Sequence, residues 1–113
     1  MPATGPVSMS VIWRVPADES HGIIGALQHL LPHTRAAPGC DGCQLTTELG
    51  DLAVIRYFEK WKTEADMQRQ LRSERFAALA ELMEQAAEVP IVEFVLPGKI
   101  RQLDYADEVR RLR

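Results

Sequence analysis

The stretch that decides the fold is Gly50 to Trp61, "GDLAVIRYFEKW". Gly50-Asp51 is a hairpin signal, and the residues after it alternate in a strand's two-residue period. Ala53, Ile55, Tyr57, Glu59 and Trp61 fall on one face, and Val54, Arg56, Phe58 and Lys60 on the other. Both faces carry large side chains, so both are expected to be at least partly covered. Upstream, residues 43–48 read as the partner strand of that hairpin. Before it, "PGCDGC" (Pro38 to Cys43) reads as a crossover turn, with Pro38 and Gly39 reversing the chain and Gly42 allowing a second bend.

Further upstream, "MSVIWRV" (Met9 to Val15) alternates in the same way and predicts a strand that Pro16 ends. Asp18 or Ser20 can cap a following helix whose apolar stripe is Ile23, Ile24, Leu27, Leu30 and Leu31. That helix is expected to reach about Thr34, with Pro32 distorting its last turn. Downstream of Trp61, Thr63 and Asp66 have capping-box spacing and open a short helix to about Leu71. Ser73 can cap a second helical piece with Phe76, Leu79, Leu82, Met83 and Ala86 as its buried stripe. Pro90 then introduces "IVEFVL", a fourth strand.

The order β-α-β-β-α-β predicts an α+β fold of ferredoxin-like arrangement: two helices on one face of a four-stranded antiparallel sheet. Whichever face the helices leave open carries residues too apolar for water, either Val11 and Trp13 or Ile12 and Phe58. An open face of that kind predicts a homodimer built sheet against sheet. The segment from Lys99 to Arg113 places Ile100, Leu103, Tyr105, Val109 and Leu112 among charges. Two readings of it stand: a tail that reaches over the partner, or a solvated, partly helical end.

At 113 residues, 46% hydrophobic and 26% charged, the chain reads as one domain spanning residues 1–113, with a core at 8–96 and an extension at 97–113. A net charge of -3 gives no general attraction to phosphate backbones or anionic lipid, so neither nucleic acid nor membrane is an expected partner. The opening "MPATGPVSMS" lacks the pattern of a signal peptide, and two cysteines make no disulfide framework. The expected location is cytoplasmic.

His29, His33, Cys40 and Cys43 form an H-x3-H, C-x2-C series that invites a zinc reading. At about 100° per residue, however, both histidines fall far from the helix's apolar stripe, and the two pairs are expected to point apart, so no metal site is predicted. A redox role needs a thiol at a helix N-terminus, where the dipole lowers its pKa. Here a strand follows the second cysteine, so the pair lacks that activation.

The turn "PGC", the strand end "YFEKW", the segment "KTEADMQRQLRSERF" and the strand after "VP" together resemble the antibiotic biosynthesis monooxygenase family of dimeric α+β barrels. In that family an acidic residue precedes a tryptophan by two, matched by Glu59 and Trp61. The following helix carries a histidine, then a serine three further on and a phenylalanine three beyond that; Ser73 and Phe76 match, but Gln70 stands at the histidine position. The resemblance implies a monooxygenase without metal or flavin cofactor, acting on an aromatic phenol or quinol held between sheet and helices. Trp61 and Tyr57 would be walls or donors of that pocket, with Gln70 and Arg56 as polar contacts.

Gln70 cannot exchange a proton as histidine can, and no other residue presents itself as the base, so the catalytic group is left unassigned. Gln70 fits poorly with heme, the cofactor of another branch of the family whose second helix supplies a histidine ligand; heme held by some other residue is a third and lesser reading. A small dimer that binds an aromatic molecule without turning it over is the alternative. Trp61 reads equally as a plug at the end of the core, and Glu59 as a salt-bridged structural acid rather than a perturbed carboxylate. Arg56 alternates to the opposite face from Tyr57, where an interface role suits it better.

Overall fold

A computed structural model describes residues 6–111. The predicted order is present and extended: β1 (Val7–Pro16), α1 (Ser20–Arg35), β2 (Cys40–Leu49), β3 (Leu52–Trp61), α2 (Glu64–Leu71), α3 (Glu74–Gln85), β4 (Ile91–Leu96), β5 (Lys99–Arg101) and α4 (Leu103–Arg111). The strands form one antiparallel sheet in the order β2-β3-β1-β4-β5.

Register in this sheet is fixed by the hydrophobic alternation, because a one-residue slip would turn every apolar side chain to the wrong face. Val11 lies opposite Tyr57 on one side and Val92 on the other. The face under the helices therefore collects Val7, Met9, Val11, Trp13, Ile55, Tyr57, Trp61, Val92 and Phe94, all buried. Leu27, Met67, Leu71, Phe76, Leu79 and Met83 close it from above. The Trp13 indole N–H is buried without a partner among the described residues.

The two helical pieces after β3 begin where the caps were expected. The Asp66 backbone N–H donates to Thr63 Oγ1 (3.1 Å), and the Phe76 N–H donates to Ser73 Oγ (3.3 Å). The start of α1 differs. A single 3-10 turn, Ala17–Glu19, precedes it, and Glu19 sits at the cap position with no side-chain cap bond. The Ser20 hydroxyl instead donates back to the Ala17 carbonyl (2.7 Å). Pro32 lies inside α1, which continues to Arg35.

Two corrections concern the C-terminal part. The sheet has five strands rather than four, because Gly98 at φ 77° turns the chain back into a short β5. The tail is helical, as one of its two readings had it, but it is packed rather than solvated. α4 packs on its own chain, burying Tyr105, Ala106 and Val109 against α2 and β4. The Tyr105 hydroxyl donates to Glu64 (2.7 Å), Arg110 donates to the Leu71 carbonyl (2.6 Å), and the Tyr105 and Phe94 rings lie 5.1 Å apart. Leu112, counted with the tail above, lies outside the described residues.

The face away from the helices is the one carrying Ile12, Val54 and Phe58, all half-buried, not the Val11 and Trp13 face. Ile91, Val95 and Ile100 extend it at 57%, 41% and 59% exposure, flanked by Arg14, Arg56, Lys60 and Glu93.

The crossover into β2 depends on Gly39, whose φ of 84° lies in the left-handed region. A Cβ at this position would overlap the Asp66 carboxylate, which itself accepts from Thr63 Oγ1 (2.8 Å) at the start of α2. Gly39→Ala is expected to cost about 2–3 kcal/mol, the left-handed penalty plus part of a helix cap. Urea unfolding checks this, with a lower midpoint at unchanged slope. Adding Asp66→Ala should cost less than the sum of the two single changes, since the overlap is then gone.

Candidate functional site

The two-residue period of β3 stacks Tyr57, Glu59 and Trp61 along one face, so a carboxyl group is carried into the apolar layer between two aromatic rings. Glu59 is 1% exposed. The Tyr57 hydroxyl donates to its Oε2 (2.6 Å) and the Trp61 indole N–H to its Oε1 (3.1 Å), so each oxygen has one donor from its own strand. From β2, the Cys43 thiol donates to the Tyr57 hydroxyl (3.3 Å). From the helices, Gln70 is buried, donates to Thr34 Oγ1 (3.4 Å) and accepts at Oε1 from Arg75 Nε (2.9 Å).

Burial pushes the Glu59 pKa up; the donors of Tyr57, Trp61 and Gln70 and the charge of Arg75 oppose that rise. Burial also raises Tyr57, and the adjacent Glu59 adds to it. Cys43 is pushed up to about 12, by burial first, with the Tyr57 hydrogen bond opposing. Tyr57 and Cys43 therefore stay neutral at ordinary pH, and Glu59 is the member of the cluster suited to exchange a proton. The expected salt bridge is not its role, since among the described residues no cation lies within 4 Å of it.

The structure brings together Trp61, Tyr57 and Gln70 but not Arg56. The alternation of β3 sends Arg56 to the open face of the sheet, where it is exposed and pairs with Glu48 (3.6 Å). Trp61 and Tyr57, at 0% and 1% exposure, present no ring face to solvent. A surface cavity of about 390 Å³ is lined by Arg35, Cys40, Asp41, Gly42, Cys43 and Gln44. Cys43 belongs to both, so the hydrogen-bonded line from Cys43 through Tyr57 to Glu59 runs inward from that cavity.

Sequence reasoning missed Cys43, Thr34 and Arg75 as members of this cluster. A signal for Cys43 exists: a glycine at 42 permits the bulge that β2 makes between Cys40 and Gly42, which sets Cys43 opposite Glu59. His29 and His33 are exposed on α1 with rings 5.6 Å apart, while the Cys43 side chain points into the core. Among the described residues no three His, Cys, Asp or Glu side chains are grouped to hold a metal ion. Cys40, like Cys43, has its pKa raised by burial, which is the opposite of thiol activation.

Several solved structures share this fold. The Mycobacterium tuberculosis protein Rv0793 matches with a TM-score of 0.69 at 20% identity, over 83% of this chain and 96% of that one. A conserved protein from Methanosarcina mazei matches at 0.71 and 17%, over 82% and 93%. A candidate antibiotic biosynthesis monooxygenase from Caulobacter crescentus matches at 0.69 and 19%, over 81% and 89%. At such identities the likeness is one of fold. No curated relative matches the sequence. The family model for antibiotic biosynthesis monooxygenases matches residues 6–82, a span that contains every residue of the Glu59 cluster. This chain belongs to the antibiotic biosynthesis monooxygenase family.

Proposed function

We propose that the protein is a small oxygenase acting on a phenol, quinol or anthrone without metal or flavin, with Glu59 as the proton acceptor. The observation that supports this most is the buried carboxyl with one donor on each oxygen and no ion pair within 4 Å among the described residues. Such chemistry needs a group that removes a proton from the substrate and keeps it away from bulk water. With an anthrone, whose reacting ring carbon bears two hydrogens, that carbon becomes a carbonyl. One oxygen atom of O2 enters that carbonyl, the other leaves as water, and the substrate supplies all four electrons. Tyr57, hydrogen-bonded to Glu59, would pass the proton inward, and entry would be from the cavity beside Cys43 by displacement of the β2 edge.

A homodimer through the open sheet face belongs to the same proposal. The apolar strip of Ile12, Phe58, Ile91, Val95 and Ile100 supports it, since water would otherwise wet five large side chains in one patch.

The second reading, a dimer that binds an aromatic molecule without turnover, is favoured by one observation: Tyr57, Trp61 and Glu59 satisfy one another and are sealed. Oxygen uptake with a panel of quinols and anthrones separates the two. The oxygenase reading expects uptake above autoxidation, reduced at least tenfold in Glu59→Gln, which keeps the shape and removes the base. Thermal stabilisation by the same compounds with no uptake selects the binding reading.

A further inference from the structure

Arg75 lies five residues after Gln70, a spacing that in a continuous helix would put the two side chains about 140° apart. The break between α2 and α3 removes that separation. The Ser73 hydroxyl and backbone N–H both donate to the Gln70 carbonyl (2.6 and 2.9 Å), and the chain restarts as α3 one residue later. Arg75, in the first turn of α3, is thereby aimed back at the Gln70 side chain.

A guanidinium can only donate hydrogen bonds. The Gln70 atom that meets Arg75 Nε at 2.9 Å must therefore be the carbonyl oxygen, and the NH2 end is forced to the other side, toward Thr34 Oγ1. Without Arg75 the amide could present its oxygen to the carboxylate, which would repel it. Among the described residues Arg75 makes no ion pair within 4 Å.

We infer that Arg75 is a positioning residue: by holding the Gln70 carbonyl oxygen it fixes the amide with its NH2 end turned inward, on the Glu59 side of the cluster. A pair made of an amide and an arginine would then serve where the family pattern has a histidine. The groups facing Glu59 are Tyr57 and Trp61 from β3, Cys40 and Cys43 from β2, Gln70 from α2 and Arg75 from α3, and of these Arg75 is the cation. The functional meaning rests on the oxygenase reading, but the positioning role does not.

The test is a pH titration of the full chain carrying 13C-labelled glutamate, with the Glu59 signal assigned by its loss in Glu59→Gln. Arg75→Met is expected to raise the Glu59 midpoint by on the order of one pH unit, with Arg75→Lys recovering part of the shift. A midpoint unchanged in Arg75→Met would overturn the inference.

A second measurement uses stability. Glu59 keeps its proton to higher pH in the native state than in the unfolded chain. Its contribution is therefore greatest below the unfolded value of about 4.3 and is lost as pH rises toward the native value. In Arg75→Met that loss should continue to higher pH, so the variant's deficit against wild type should grow with pH and become flat in a Glu59→Gln background. A deficit equal at every pH would mark Arg75 as structural only and overturn the inference. Failure to consume oxygen with the titration shift intact would instead remove the oxygenase reading and leave the positioning role.

Discussion

Glu59→Ala is expected to destabilise the protein by about 3–4 kcal/mol, a large part of what holds a domain of this size together. Two buried donors, the Tyr57 hydroxyl and the Trp61 indole N–H, would lose their acceptors, and the space of the carboxyethyl group would be left under the sheet. Relief from burying a carboxyl offsets part of this, which keeps the figure below the sum of the separate costs. Glu59→Gln should cost no more than about 1 kcal/mol, because its oxygen can accept from Trp61 and its NH2 can donate to Tyr57. The Tyr57 O–H can then turn to Cys43. Urea unfolding followed by circular dichroism compares the two. Equal losses would mean that the donors find water and that the cluster is looser than its geometry.

Ending the chain before Leu103 should cost on the order of 4 kcal/mol or more, since Tyr105, Ala106 and Val109 leave the core and Phe94 and Phe76 lose their cover. Tyr105→Phe keeps the packing and removes only the hydroxyl bonds with Glu64 and Gln68, so about 1 kcal/mol is expected from it. Thermal melts of both variants check the ratio. A truncated chain that melts with wild type would mean that α4 rests on the surface rather than completing the core.

The truncation also shows where sequence reading stopped. The alternation in β1 and β3 and the helical stripes of α1 and α3 made the sandwich of helices on sheet legible, because each pattern has one dominant period. The tail has apolar residues at helical spacing too, but they are few among many charges. Whether Tyr105 and Val109 bury against the same chain depends on β5 turning the backbone toward α2, which Gly98 permits but no local signal demands. In the candidate site, Tyr57, Glu59 and Trp61 were legible as one face for the same periodic reason. Arg75 was not, since its approach to Gln70 arises from a helix break whose geometry only the folded chain expresses.

The bulge in β2 acts as a half-period phase shifter. Residues 40 and 43 differ by an odd number, so on an even ladder their side chains would straddle the sheet; with one residue looped out, Cys40 pairs with Trp61 and Cys43 with Glu59, both on the inner side. Were residues 40–43 all held on a regular ladder with none looped out, the parity of everything before the bulge would reverse. Cys40 would turn outward, and Gly39 would leave its place beside Asp66. One looped-out residue is thus what brings two cysteines of odd spacing to the same side of the sheet.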